Sequence, residues 1–376
     1  MVEYSNQKTN VGFIGLSATS GWAATALAPA LIQPSLRDKY DLVAVSTTTE
    51  ASSLASADKY SKEVGHHIKS YFGPASRIAS DEDVNLVAIS VKAPHHKEVV
   101  LSAIEAKKDF FVEWPAGIST KETEEIASSA REHGVRSLVG LQGRHSVVVR
   151  KVKEILSSGV VGTVRSTNVI AHLPREAGTF PPFTFDYYEY TLDKNNGATM
   201  LTVPIGHQLD TLTHVLGDFV KVSAIATNVY PVLTVLDRTH KPTGKTVAYH
   251  QPDHYAISGV LKSGILANIL WRTGYASTEG RRQYVWEIEG EEGTIRMESN
   301  NLLGAMASMI EPDLYLNGKK VDFETSGNAV ESCVEAWMPF SNGPGGDYAT
   351  IEDAVKHHRL LDAIEASVQE GKVVAL

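Results

Sequence analysis

The sequence predicts an α/β protein, in which an N-terminal doubly wound parallel sheet is followed by an α+β domain built on a large, mostly antiparallel open sheet. Three observations lead there. A short apolar run, Val11 to Ile14, enters a turn bounded by Gly15 and Gly21 and then an alanine-rich stretch. Similar runs alternate with helical spacing to about residue 140, and beyond Gln142 apolar and polar residues alternate without intervening helices. Strands separated by helices imply βαβ units and parallel pairing, whereas successive alternating strands imply an antiparallel sheet with one face packed.

The first strand, Val11-Gly12-Phe13-Ile14, feeds a turn that must bring backbone N–H groups and a helix N-terminus close to a pyrophosphate if it serves a dinucleotide. Gly15 and Gly21 keep side chains out of that approach. Counted from Gly15, the second glycine of Gly-x-Gly-x-x-Gly is Ser17 and the third is displaced to Gly21. Gly15, Ser17, Thr19, Gly21 and Trp22 are therefore candidate cofactor contacts, with an ordinary strand-to-helix turn as the alternative. A helix over Trp22 to Gln33 precedes the buried strand Tyr40 to Ser46. Leu86 to Val91 is the next strand, followed by a helix over His95 to Lys107, the strand Phe110 to Val112, a helix over Glu122 to His133 and the strand Ser137 to Leu141.

In the second half, a helix over Ser146 to Ser157 leads to strands at Val164 to Ala171, Val220 to Asn228, Tyr255 to Leu261, Leu266 to Trp271 and Tyr284 to Glu289. Residues Leu173 to Lys194 form an aromatic, proline-rich loop, a feature that usually has a task. The expected domains are 1–142, binding dinucleotide; 143–350, serving substrate and oligomerisation; and 351–376, a C-terminal helix that packs back on the first domain.

With 376 residues, 43% of them hydrophobic, the chain can fill two cores. Its single cysteine, Cys333, excludes an intramolecular disulfide framework and a cysteine-based zinc site; no metal is expected, and a reducing setting is, cytoplasmic by default with the nucleus as the alternative. The formal net charge of −9, with no Lys/Arg-rich tract, argues against direct nucleic-acid binding. No apolar run reaches the ~20 residues that span a bilayer, and Met1 to Asn10 lacks a signal-peptide core, so no membrane association is expected.

Several fragments fit one pattern in order and spacing: Gly12-Phe13-Ile14-Gly15, the strand ending in Pro94-His95-His96, Phe111-Val112-Glu113-Trp114-Pro115, Gln142-Gly143-Arg144 and Gly206-His207-Gln208-Leu209-Asp210. Gly159-Val160-Val161-Gly162 and Glu292-Gly293-Thr294-Ile295 fit it too. The chain thereby resembles the glucose–fructose oxidoreductase and inositol dehydrogenase (Gfo/Idh/MocA) family over nearly its whole length. Within that family it is most similar to the fungal branch that includes the galactose-pathway repressor. The resemblance implies a Rossmann domain, NADP or NAD as cofactor, and hydride transfer to or from a sugar, cyclitol or similar polar ring substrate. The branch implies the alternative, a non-catalytic dinucleotide-binding regulator.

Two departures bear on catalysis. Family enzymes carry Glu-Lys-Pro with a cis bond that aims the lysine at substrate; here Trp114 replaces it, and indole cannot exchange a proton with a hydroxyl at neutral pH. Trp114 is either a packed side chain or a stacking platform for a ring-shaped ligand. The family's Asp-x-x-x-His pair keeps His207, but Val203 stands where the aspartate would be. His207 is the first candidate for general acid or base, with a ligand contact or a buried histidine satisfied by Asp210 as alternatives. Replacement donors are Lys92, at the end of the strand beside the expected nicotinamide, and Tyr188; each also has a bland reading as surface charge or pocket lining. Trp114, Tyr187, Tyr190, His207 and Asp210 are the candidate substrate contacts. Toward the cofactor the resemblance adds Val91, His96, Glu113, Trp114 and Arg144, although Arg144 could as well structure the domain junction.

Where NAD-selective members end the second strand with an acid for the ribose, this chain has Ser46-Thr47-Thr48-Thr49, with Arg37 and Lys39 nearby. Ser46, Thr47 and Thr48 are thus candidate contacts, and the absence of a carboxylate leans the expectation toward NADP. The open sheet face leads us to expect a homodimer or larger homo-oligomer, with a small-molecule substrate as the other partner.

Overall fold

A computed structural model describes residues 8–324 and 329–376. The chain divides into two compact units, residues 1–142 with 329–358 and residues 143–328 with 359–376. The division falls after Gln142, and Ala329 to His358 cluster with the first unit. The C-terminal segment expected to pack there divides at His358.

Unit 1 contains β1 (Thr9–Ile14), β2 (Tyr40–Thr47), β3 (Lys69–Phe72), β4 (Leu86–Ile89), β5 (Asp109–Glu113) and β6 (Ser137–Gly140), ordered β3-β2-β1-β4-β5-β6 and parallel throughout. This is the doubly wound topology, whose order reverses between β1 and β4 and opens a crevice at the strands' carboxyl ends. Both faces of β4 are buried because all four of its residues are apolar. Between strands run a π-helical turn at Ala23–Leu27 continuing as α1 (Ala28–Leu31), then α2 (Glu50–Val64), α3 (His96–Glu105) and α4 (Thr120–His133). Leu16, Val11, Phe13, Leu42 and Val45 share a core with Cys333, Val334 and Trp337, the last three from a helix at Ala329–Phe340. Trp337 anchors that helix: its carbonyl accepts the Tyr40 hydroxyl at 2.9 Å, and its ring lies 5.0 Å from Phe111.

Unit 2 opens with α5 (Val147–Ser157) and contains a nine-stranded sheet. Its strands are β7 (Val164–Leu173), β9 (Phe219–Thr227), β12 (His254–Leu261), β13 (Leu266–Thr273), β14 (Tyr284–Gly290), β15 (Thr294–Ser299), β16 (Asp313–Leu316), β17 (Lys319–Lys320) and β18 (Val374–Ala375). Their order is β17-β16-β15-β14-β7-β13-β12-β9-β18, antiparallel except at β7–β13. Alternation puts Val169, Ala171, Ile269, Trp271 and Trp286 on the covered face and Ile170, Asn168, Leu270 and Asn268 on the open one. A three-stranded sheet of β8 (Phe183–Phe185), β10 (Val232–Leu236) and β11 (Pro242–Ala248) carries the aromatic loop. α6 (Gly206–Leu216) follows that loop through a second π-helical turn, and α8 (Ile351–Glu370), after α7 (Ala329–Phe340), closes the helix series.

Candidate functional site

In unit 1 the candidate site starts at the exit of β1. Gly15 has φ +89° and donates its N–H to the Ser46 carbonyl at 2.8 Å. A Cβ there would lie 2.1 Å from the Ser90 carbonyl oxygen and 3.1 Å from Val91 Cγ1, so only glycine lets the turn pass between β2 and β4. Gly21 has φ +103° but meets nothing within 4 Å; its glycine serves backbone conformation and leaves open space above the loop. Between them, Ser17 Oγ accepts the Thr19 N–H at 3.1 Å, and both hydroxyls are close to solvent. The carbonyl of Gly21 then accepts Ala24 and Thr25 N–H groups, each at 3.1 Å, which starts the helix. One extra residue relative to Gly-x-Gly-x-x-Gly coincides with a π-helical first turn, a form that places one more residue per hydrogen-bonded ring.

At the end of β2, Ser46 is buried, Thr47 is half-buried and Thr48 is exposed. Thr49 caps α2: its hydroxyl accepts the Ser52 N–H at 3.2 Å, while Ser52 Oγ accepts the Thr49 N–H at 3.3 Å. The first carboxylate after the strand is Glu50, in the first turn of α2. Arg37 donates to the Val64 carbonyl at 2.5 Å.

At the end of β5, the Trp114–Pro115 bond is cis, as in the family motif. The Trp114 indole is 5% exposed and packs against His357 and His358, with ring centroids 4.9 and 4.7 Å away. Burial, reinforced by His357, lowers His358 to about 3 and keeps it neutral. Trp22, the residue after the glycine turn, donates its indole N–H to Glu113 Oε1 at 3.2 Å. Burial pushes the Glu113 carboxyl up to about 8, against the opposing hydrogen bonds from Trp22 and the Trp114 backbone. His96 is 1% exposed, with Nδ1 2.8 Å from the Pro115 carbonyl and Nε2 2.9 Å from that of Val91. It therefore braces the proline segment against the end of β4, and burial lowers its affinity for a proton. Lys92 is exposed in the same β4 exit.

In unit 2, His207 lies half-buried in the first turn of α6, where Thr211 Oγ1 donates to its carbonyl at 3.0 Å. Arg144 grips Asp210 through a fork, Nε to Oδ2 at 2.8 Å and Nη2 to Oδ1 at 2.6 Å; Asp210 is 1% exposed. That bidentate pair ties the chain entering α5 to α6. Tyr187 stacks on Phe185 at 5.2 Å and meets Tyr188 at 4.6 Å; Tyr188 lies 6.5 Å from Tyr190. Burial raises Tyr188 and pushes Tyr190 up to about 12, so both phenols hold their protons at neutral pH. Among the described residues, no group of three or more His, Cys, Asp or Glu could hold a metal ion, and no helix is long and apolar enough to cross a membrane.

Residues 9–141 match the family model of an oxidoreductase family with an NAD-binding Rossmann fold, and residues 147–299 match that of the Gal80p C-terminal domain. The chain is 30% identical over 383 residues to dehydrogenase aclE of Aspergillus oryzae, with 98% of each protein covered. It is 25% identical over 366 residues to the galactose/lactose metabolism regulatory protein GAL80 of Saccharomyces cerevisiae, covering 95% of this chain and 80% of that protein. In fold it is similar to the crystal structure of a super-repressor mutant of Gal80p from Saccharomyces cerevisiae, with a TM-score of 0.86, 22% identity and 98% of each chain covered.

Proposed function

Since this chain belongs to the Gfo/Idh/MocA oxidoreductase family, with its NAD-binding Rossmann fold, we propose that it transfers hydride between NADP or NAD and a sugar, cyclitol or similar polar ring compound. The observation that carries the reading is the Gly15 turn at the β1–β4 switch point, too tight for any Cβ and followed by the open space over Gly21. A dinucleotide pyrophosphate fits there against the loop's backbone N–H groups, with the Ser17 and Thr19 hydroxyls within the same turn. Thr47 ends β2 and Thr48 follows it, with no carboxylate to repel a 2′-phosphate, which supports NADP; Glu50, two residues on, leaves NAD acceptable. When bound, the nicotinamide supplies the hydride chemistry. The chain's own part in unit 2 is proton exchange at the His207 imidazole, the member of the family pair that this sequence keeps.

A second reading, a dinucleotide-binding regulator, is favoured by one observation. The position of the family lysine is filled by an indole packed against two histidines, and an indole gives up no proton at neutral pH. A hydride-transfer screen across sugars and cyclitols, followed at the reduced-nicotinamide absorbance, separates the two. Turnover with any of them supports the enzyme, whereas complete inactivity with normal NADP binding supports the regulator.

For assembly, the open sheet face suits a second copy of this chain. Ile225, Ala256, Leu270, Ile170 and Val285 stand opposite one another across five adjacent strands, and Ile225 is 76% exposed. Such a row is an apolar patch that water alone covers poorly, and an isologous pairing would bury it.

A further inference from the structure

At the end of the open face lies a polar constellation that the proposed reaction does not use. Asp253 is fully buried, and its carboxylate accepts the N–H groups of Val229 at 2.9 Å and Tyr230 at 2.8 Å. Its Oδ1 also faces His254 Nδ1 at 2.7 Å. Both Asp253 oxygens already accept backbone N–H groups, so in the contact with Oδ1 the imidazole Nδ1–H is the donor and Nε2 presents a lone pair. That lone pair meets the Tyr275 hydroxyl at 3.1 Å, which therefore donates. The chain of hydrogen bonds from Tyr275 through His254 to Asp253 runs in one direction, the arrangement by which a buried acid orients an imidazole to take a proton from a hydroxyl.

The surroundings point to a ligand. The Arg272 and Arg281 guanidiniums lie 5.8 and 5.5 Å from the centre of the Tyr275 ring. The His172 ring is 5.3 Å from it. His172 is 1% exposed, and its Nδ1 donates to Gln283 Oε1 at 2.6 Å, so Nε2 is left as an acceptor; it is buried and has no hydrogen-bond partner among the described residues. Arg272, directly across the β7–β13 ladder from His172, has a buried Nε donor that is likewise unpartnered. Each such group carries an uncompensated desolvation cost unless something pairs with it. Burial, reinforced by Arg272 and Arg281, keeps His172 neutral and able to accept. A molecule that satisfies both offers a hydroxyl to His172 and an anionic oxygen to Arg272. Tyr275, 37% exposed, and the exposed Arg281 open the cluster to solvent.

This cluster is separate from His207. The helix bearing His207 lies against the covered face, where Gln208 meets the Tyr284 hydroxyl, whereas His172, His254 and Arg272 alternate onto the open face.

We propose that Asp253, His254 and Tyr275 form an acid–base relay serving a second ligand site, at the rim of the open sheet face, and that its ligand is a hydroxylated carboxylate. As a second hydroxyl of the ligand gives its proton to the Tyr275 oxygen, leaving an alkoxide, the Tyr275 proton passes to His254 Nε2, and Asp253 holds the resulting imidazolium. Only O–H and N–H bonds change.

The test is the reactivity of Tyr275 toward an arylsulfonyl fluoride in the full-length protein, mapped by peptide mass spectrometry. The phenol oxygen attacks sulfur, the S–F bond breaks, fluoride leaves and the phenol proton goes to His254. Among the chain's 14 tyrosines, Tyr275 should be labelled first, His254→Gln should slow that labelling roughly tenfold or more, and millimolar gluconate should protect Tyr275 where equal glucose does not. Labelling of Tyr275 no faster than that of Tyr187, which is 38% exposed, overturns the relay whether or not the variant folds. An unchanged rate in folded His254→Gln overturns it equally, and equal protection by both compounds, or by neither, overturns the ligand class.

Discussion

Replacing Glu113 by glutamine should change how the protein's stability depends on pH, by an amount that follows from the position of this carboxyl. Glu113 ends β5, accepts the Trp22 indole N–H at 3.2 Å, and sits where a side chain on Gly140 would collide with it. Burial raises its pKa from 4.5 to about 8. Between those values the folded chain holds a proton that the unfolded chain has released, so the unfolded state binds fewer protons and stability falls as pH rises. The slope is about 1.4 kcal/mol per pH unit for one proton, and a span of roughly 3.5 units makes the full loss about 5 kcal/mol, complete above pH 8 and absent below pH 4.5. Glutamine keeps an oxygen for Trp22 and carries no charge at any pH. Urea denaturation of both proteins at pH 5, 6, 7 and 8, followed by tryptophan fluorescence, should give a stability difference that moves steadily in favour of Glu113→Gln as pH rises. Parallel curves would mean that Glu113 ionises as freely in the fold as in water, and the account of this buried corner would be wrong.

Three further outcomes are expected. Arg144→Ala leaves the Asp210 carboxylate buried without its fork, and thermal unfolding should show a loss of about 3–5 kcal/mol, a cost that rests on charge if Arg144→Met loses as much. His207→Ala should cut turnover about 10²–10⁴-fold while the dinucleotide dissociation constant stays put; equal effects on both would remove its assignment as the proton-transfer group. Ile225→Asp puts a charge into the apolar row of the open face and should lower the mass seen by light scattering at micromolar concentration from an oligomer to the single chain; a wild-type monomer would refute the proposed assembly.

How much of this was legible in the sequence depended on whether a residue's role is local. β4 and β6 were readable because strands buried on both faces are continuous apolar runs, and Gly15 because a turn with positive φ needs glycine. α2 was not readable: its buried face is Ser53, Ser56, Ala57, Tyr60 and Val64, in which two serines break the apolar stripe that marks a helix. β11 escaped for the opposite reason, since nearly all of its residues are exposed and no alternation marks it. The placing of α7 in unit 1 depends on Trp337 meeting Tyr40, nearly 300 positions away. The site divides in the same way. The cis bond at Trp114–Pro115 follows from the motif, whereas the His96 brace, the Trp22–Glu113 bond and the Asp253–His254–Tyr275 chain arise from segments that only the fold brings together.

Dinucleotide binding by the β1 turn is the claim on which the functional account depends, and calorimetric titration of NADP and of NAD into the folded full-length protein tests it most directly. The account predicts saturable uptake of one equivalent of at least one coenzyme, and binding roughly 100-fold weaker or lost in Gly15→Ala, whose Cβ would stand 2.1 Å from the Ser90 carbonyl oxygen. Folded wild-type protein that takes up neither coenzyme would contradict it.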